Sequence, residues 1–134
     1  MEAYSWYAQL LKPAWAPPSW LFGPVWTVLY AIIAVTYGFV FYKAVTGKID
    51  WWIAVPFALN LVCNFAFSPI QFGLKNNFLA SIDILLVLGT LVWALWAIWN
   101  AVPELRFVVY ANIPYLVWVS FATVLQLTIT FLNR

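Results

Sequence analysis

The chain has 134 residues, of which 66% are hydrophobic and only 7% are charged, and its formal net charge is +2. A soluble domain carries about a quarter charged residues, so this composition excludes a water-facing surface and predicts an integral membrane protein. The small net charge gives no reason to expect nucleic acid as a partner. Because the sequence has no histidine and a single cysteine, Cys63, an internal disulfide and a His/Cys metal site are both excluded.

The chain opens with a segment rich in tryptophan and proline. The stretch from Trp6 to Tyr30, WYAQLLKPAWAPPSWLFGPVWTVLY, contains four tryptophans and four prolines. Proline fixes the backbone angle φ and lacks an N–H donor, so this stretch cannot begin as one smooth helix. Its indoles suit either a membrane–water boundary or a wall on which a ligand stacks. We predict that residues 1–19 form an interfacial lid, stiffened by Pro13, Pro17 and Pro18.

Four apolar runs follow, at about residues 20–42, 51–72, 78–99 and 107–132. At about 1.5 Å per residue each run can span a hydrocarbon core of about 30 Å. The connectors are short, so neighbouring helices should be antiparallel and adjacent. The predicted fold is an all-α integral membrane protein, an up-down bundle of four transmembrane helices in a single membrane domain over residues 1–134. Four crossings place both chain ends on one side of the membrane, here called the first side. The balanced positive charges leave its orientation open.

A few polar and aromatic residues lie well inside these runs. Asn60, Asn64 and Asp83 cost free energy in lipid unless they face protein or water. The tryptophans at helix ends fit an interfacial belt, whereas Trp26 and Trp118 lie deeper. A count of depth along each helix places these groups in the half of the bundle nearest the first side.

The spacing of two residue pairs also predicts which side chains lie on the same face of a helix. Trp26 and Tyr30, and likewise Trp118 and Ala122, are four residues apart and therefore share a helix face. Aromatic faces with a few polar groups predict a cavity for a small molecule. The alternative is that the asparagines only bond one helix to another and that the tryptophans only fill volume.

The opening stretch resembles the signature of the translocator protein family, also called tryptophan-rich sensory proteins or peripheral-type benzodiazepine receptors. The resemblance continues through NFAFSPIQFGLKN (Asn64–Asn76), ASIDILLV (Ala80–Val87) and PYLVWVSFAT (Pro114–Thr123). It implies a multi-pass protein of a bacterial membrane, or of the mitochondrial outer membrane in a eukaryote. It also implies a fold of five membrane helices that is usually dimeric, so a homodimer is expected. The family's first membrane helix is not among the four predicted here, because this sequence starts almost at the loop that follows it. We expect either a truncated or misassigned start or a four-helix variant.

The resemblance also implies the ligands. Family members bind porphyrins such as protoporphyrin IX, benzodiazepine-type and isoquinoline carboxamide drugs, and in some cases cholesterol. The porphyrin would be a ligand, and no cofactor is required. The predicted ligand-binding residues are Tyr7, Trp15 and Pro17 in the lid and Trp26, Tyr30, Asn64, Phe67, Trp118 and Ala122 on the helices. Some bacterial members degrade protoporphyrin in light, and the tryptophans that match Trp26 and Trp118 are implicated in that reaction.

The preferred interpretation is a membrane receptor or carrier for a flat, hydrophobic tetrapyrrole. Ordinary enzyme catalysis is not expected, because the sequence offers no histidine, no nucleophile beside a base and no phosphate-binding glycine loop. One alternative is a four-helix multidrug-type transporter, which needs an acidic residue inside the membrane; only Asp83 qualifies. We expect Asp83 instead to be a hydrogen-bonded structural acid. A second alternative is an assembly subunit that binds no ligand.

Overall fold

The computed structural model describes residues 13–16, 19–68 and 76–133, and these residues form a helical bundle. Its five α-helices are α1 (Phe22–Val45), α2 (Trp51–Ser68), α3 (Asn77–Ala101), α4 (Arg106–Ala111) and α5 (Ile113–Leu132). Short 3₁₀ turns at Ser19–Leu21 and Pro103–Leu105 precede α1 and α4. The predicted all-α class is therefore confirmed.

Length and composition make this bundle a membrane protein. Three of the described helices, α1, α3 and α5, are long and apolar enough to cross a bilayer. Helix α2 is also apolar but shorter, with 18 residues, which corresponds to about 27 Å. Helices that are apolar on all sides are typical of membrane spans. The protein is thus a multi-pass integral membrane protein, as predicted.

The last predicted span, residues 107–132, is not one helix. Helix α4 ends at Ala111 and α5 begins at Ile113, with Asn112 between them. The Asn112 amide donates to the carbonyl oxygen of Val108 at 2.8 Å and to the hydroxyl of Thr36 on α1 at 3.0 Å. Proline in the first turn of α5 is tolerated there because its missing N–H would have no partner within the helix. The Asn112 side chain therefore links the break between α4 and α5 to α1.

The other predicted bounds differ by a few residues. Helix α1 continues to Val45, and the turn after it contains Gly47 with a φ of 76°. That left-handed conformation favours glycine, which has no Cβ to clash with the backbone. At the start of α3, the side chain of Asn76 accepts a hydrogen bond of 2.9 Å from the backbone N–H of Leu79 and caps the helix. Residues 69–72, which the sequence assigned to the second span, lie outside the described residues.

Contacts between helices establish the antiparallel order. Tyr30 of α1 bonds to Asn64 of α2, and Tyr37, about two turns further along α1, bonds to the earlier Asn60. The two helices therefore run in opposite directions.

The same holds for α3 and the two-part last segment. Ser81, near the start of α3, lies 2.6 Å from Thr130, near the end of α5, measured between hydroxyl oxygens. At the other end of α3 the rings of Trp99 and Tyr110 of α4 meet with centroids 5.7 Å apart. The predicted up-down topology is confirmed for the described helices.

The helices do not pack equally closely. The backbone of helix α3 packs most closely against those of α2 and α5. Helix α1 lies further out and reaches the others mainly through large side chains, such as Tyr37, whose ring meets Phe57 edge-on at 4.8 Å. Both rings are fully buried. The space between α1 and the rest of the bundle is therefore spanned by aromatic groups.

Candidate functional site

Aromatic side chains of α1 form one wall of the predicted site. The rings of Trp26 and Tyr30 lie 5.5 Å apart with an interplanar angle of 32°, as expected for residues four apart on a helix. The Tyr30 ring is also 6.0 Å from that of Phe65 on α2. Trp26 meets Tyr115 of α5 edge-on at 6.3 Å. Trp26 is half-buried against the main core, so its ring faces protein on at least one side.

A second aromatic group lies on α5. The half-buried ring of Trp118 is 5.7 Å from Phe121 in a tilted arrangement, and Phe121 meets Trp15 edge-on at 5.6 Å. Trp118 and Ala122 both pack against the same core cluster as Trp26. Phe67 of α2 also packs on that cluster. Four of the predicted residues on α1, α2 and α5 thus pack against this one cluster, namely Trp26, Phe67, Trp118 and Ala122.

Only part of the predicted lid can be placed. Tyr7 and Pro17 lie outside the described residues, as do most residues of the segment 1–19. Ala16 packs against the buried residues Leu125 and Ile129 of α5. Together with the ring contact of Trp15, this puts Trp15 and Ala16 alongside α5 from its middle onward.

Asn64 connects the two aromatic walls. Its Oδ1 atom accepts a hydrogen bond of 3.1 Å from the hydroxyl of Tyr30, and its Nδ2 atom donates to the hydroxyl of Tyr115 at 2.6 Å. Asn64 is buried, whereas Tyr30 remains partly exposed. A ligand that bonds to Asn64 must therefore approach beside the existing bond to Tyr30 or replace it.

Asn60 lies one turn away and is completely buried. Its Oδ1 atom accepts from the hydroxyls of Tyr37 at 2.8 Å and Tyr115 at 3.0 Å. Its Nδ2 atom donates to the carbonyl oxygen of Val87 at 2.9 Å and to the hydroxyl of Thr90 at 3.1 Å. Asn60 thus holds α1, α3 and α5 to α2, which is the bonding role that the sequence left open as an alternative.

Sequence reasoning missed Tyr37, Tyr115 and Phe121. A signal was available for two of them. Tyr37 follows Tyr30 by seven residues, and Tyr115 precedes Trp118 by three, so each shares a face with a residue already selected. Nothing in the spacing indicated that Tyr115 bonds to both asparagines.

Asp83 differs from its expected role. The residue is buried, with 6% of its surface exposed. Its Oδ2 atom is buried without a hydrogen-bond partner among the described residues. The expected role was a hydrogen-bonded structural acid, and no such bond is made by this oxygen atom within the described part of the chain.

The described residues also border a cavity of about 210 Å³ at the opposite end of the bundle. Lys48, Asp50, Trp52 and Glu104 contribute to its lining, next to the connectors on the second side. It is therefore separate from the aromatic walls. Within residues 13–16, 19–68 and 76–133, no group of three or more Cys, Asp or Glu residues is arranged to hold a metal ion.

Comparison with known proteins identifies one family over almost the whole chain. The model of the TspO/MBR family matches residues 1–132. The chain is 37% identical over 130 residues to the Tryptophan-rich protein TspO of Bacillus cereus, covering 96% of this chain and 81% of that protein. It is 37% identical over 129 residues to the human Translocator protein, covering 93% of this chain and 73% of that protein. It is also 36% identical over 129 residues to the Uncharacterized membrane protein YtaB of Bacillus subtilis, with coverages of 96% and 80%. A family match of this extent, on a bundle with these aromatic walls, means that the chain belongs to the TspO/MBR family.

Proposed function

We propose that this protein is a membrane receptor or carrier that binds porphyrin-like tetrapyrroles, and related flat hydrophobic ligands, against the aromatic faces of α1 and α5. The supporting observation is the convergence of Trp26 and Trp118 on one core cluster, with Tyr115 in contact with Trp26 and three residues from Trp118. Relatives named as translocator proteins agree with a binding or carrier role. The porphyrin enters as a ligand, and no cofactor is part of the proposal.

The physics of the bilayer limits what each contact contributes. A porphyrin dissolved in lipid gains little hydrophobic free energy on entering an apolar cavity, because lipid tails are already apolar. Selectivity must then come from ring stacking, shape and the few polar groups. Aromatic contacts contribute about 0.5–1.5 kcal/mol each beyond area burial, so loss of one indole should weaken binding about two- to tenfold.

The test is a titration of protoporphyrin IX into the purified protein in lipid nanodiscs, followed by tryptophan fluorescence. Saturable quenching should weaken in Trp118→Phe and in Asn64→Ala. Trp51→Phe is the matched control, since Trp51 is 60% exposed at the start of α2, on the second side. Equal effects of all three substitutions would mean non-specific partitioning and would refute the proposal.

We include light-dependent degradation of bound porphyrin as a secondary activity of the same site. Trp26 and Trp118 are its candidate redox partners, because an excited porphyrin can exchange an electron only with a group close to it. At equal porphyrin occupancy, illumination should consume the pigment more slowly in Trp26→Phe than in the unmodified protein. An unchanged rate of absorbance loss removes Trp26 from this chemistry.

A proton-coupled transporter is the second candidate, and a specific observation favours it. Asp83 is a buried acid within α3, and its Oδ2 atom has no hydrogen-bond partner in the described part of the chain. Ionisable residues inside a membrane helix often mark ion or substrate pathways. Efflux should be measured in Asp83→Asn, with the exposed Asp50→Asn as control. A large loss of efflux in Asp83→Asn but not in Asp50→Asn, with porphyrin binding intact, would favour the transporter.

An assembly subunit without ligand is the remaining alternative, and it predicts no saturable binding in any of these assays. A homodimer is part of our proposal because the family resemblance implies one. Cross-linking in nanodiscs and mass determination in detergent test it; a monomer by both methods contradicts it.

A further inference from the structure

A chain of hydrogen bonds runs from the backbone of α3 through α2 and α5 to α1, and its donor–acceptor direction is determined at one end. The Asn60 side chain lies 2.9 Å from the carbonyl oxygen of Val87. A backbone carbonyl can only accept, so the Asn60 atom beside it must be the amide nitrogen. The orientation of the Asn60 amide is therefore set by the backbone of the neighbouring helix.

The orientation of Asn60 determines which atoms donate in the next hydrogen bonds. With its nitrogen toward α3, Asn60 presents Oδ1 to Tyr37 and Tyr115, and both hydroxyls donate to it. A tyrosine hydroxyl has a single proton. Because Tyr115 uses that proton on Asn60, it can only accept from Asn64, whose Nδ2 atom lies 2.6 Å away.

The last hydrogen bond of this series, between Asn64 and the partly exposed Tyr30, is determined in the same way. Asn64 has turned its nitrogen toward Tyr115, so its Oδ1 atom faces Tyr30 and accepts the Tyr30 proton at 3.1 Å. The Tyr30 oxygen is left with acceptor capacity only. Tyr30 is 39% exposed, whereas Asn64 is 5% exposed and Tyr115 is completely buried. A ligand at the α1 wall therefore meets an acceptor at Tyr30.

We propose that Tyr115 is a specificity-determining positioning residue: it orients the Asn64 amide so that Tyr30 selects ligands that carry an N–H or O–H donor. This inference rests on the proposed function, because it concerns the same aromatic site. Tyr115 acts through Asn64 and Tyr30. Without the Tyr115 hydroxyl, the Asn64 amide is free to turn over and donate to Tyr30. The Tyr30 hydroxyl proton is then available to an acceptor on the ligand.

A matched ligand pair tests the inference. Protoporphyrin IX bis-amide carries N–H donors, and its bis(N,N-dimethylamide) has the same ring and carbonyl groups without them. The measured quantity is the ratio of the two dissociation constants, from quenching of tryptophan fluorescence in nanodiscs. A single net hydrogen bond predicts that the unmodified protein prefers the N–H ligand by about two- to tenfold.

Tyr37→Phe is the matched control for Tyr115→Phe. Both hydroxyls donate to the same Asn60 oxygen, and both side chains are almost completely buried, but only Tyr115 also bonds to Asn64. The preference ratio should persist in Tyr37→Phe and fall to about one, or reverse, in Tyr115→Phe. Tyr30→Phe removes the acceptor itself at a more exposed position, so it should also abolish the preference and covers the case in which Tyr115→Phe does not fold.

The possible results distinguish a failure of this inference from a failure of the proposed function. An unchanged ratio in Tyr115→Phe or in Tyr30→Phe overturns the inference, and so does an equal loss in Tyr37→Phe, which would indicate a general structural effect. Saturable binding of both amides with no preference in the unmodified protein overturns the inference alone. Absence of saturable binding for both amides and for protoporphyrin IX overturns the proposed function with it.

Discussion

Asn60 lies at the centre of the bundle and makes four hydrogen bonds to three other helices. Replacing it with leucine keeps a side chain of similar size and removes every polar atom of the amide. Tyr37 then loses its hydrogen bond to this residue, whereas Tyr115 keeps its bond to Asn64. Asn60→Leu therefore isolates the contribution of the polar network from that of packing volume.

The expected cost follows from the count of bonds. Hydrogen bonds between membrane helices contribute about 0.6 kcal/mol each on average, because the unfolded chain in lipid also finds partners. Four such bonds come to about 2.4 kcal/mol, and the stranded Tyr37 hydroxyl adds to this value. Leucine gives little in return, since it is as well solvated by lipid as by the protein interior. We expect a destabilisation of about 2–3 kcal/mol, equivalent to a change of about 30- to 160-fold in the unfolding constant.

Reversible unfolding by dodecyl sulfate in mixed micelles, followed by tryptophan fluorescence and circular dichroism, measures this free energy. Asn100→Leu is the control, because Asn100 is exposed near the end of α3 and its side chain donates to the carbonyl oxygen of Trp96 on its own helix. Its cost should stay below about 0.5 kcal/mol. A loss in Asn60→Leu that is no greater than in this control would refute the reasoning, because the network would then contribute nothing beyond the membrane environment.

Three further predictions concern the helix ends and use the same unfolding assay. Arg106→Gln should cost about 0.5–1 kcal/mol, since the guanidinium lies 4.4 Å from the Trp99 ring; an unchanged stability means that this stacking does not persist in lipid. Gly47→Ala should cost about 1–2 kcal/mol because of its positive φ. Gly89→Ala, with open space around its Cβ position, should not destabilise, and equal costs for the two would contradict the explanation. Asn76→Ala should cost about 1 kcal/mol by loss of the cap of α3, and Asn76→Asp should restore most of it; a lack of rescue argues against capping.

Much of the fold was predictable because its determinants are local. The low charge content and the apolar runs specify a multi-pass helical membrane protein, and the short connectors specify antiparallel neighbours. The pairing of Trp26 with Tyr30 also followed from helical spacing, since residues four apart share a face whatever surrounds the helix. The ligand-binding roles of all the predicted site residues stay predictions, and two of these residues, Tyr7 and Pro17, lie outside the described residues.

The sequence by itself therefore determined the class of protein, the topology and which residues share a face. Only the tertiary structure decided the partners of Asn60 and Asn64 and the two bonds of Tyr115. It also decided that one oxygen of Asp83 is buried without a hydrogen-bond partner among the described residues. It also decided the division of the last span at Asn112, which bonds to Thr36 on a helix 76 positions earlier in the chain. The physical reason is that hydropathy adds up along a segment, whereas a hydrogen bond depends on the rotation and distance of two helices, which no single segment encodes.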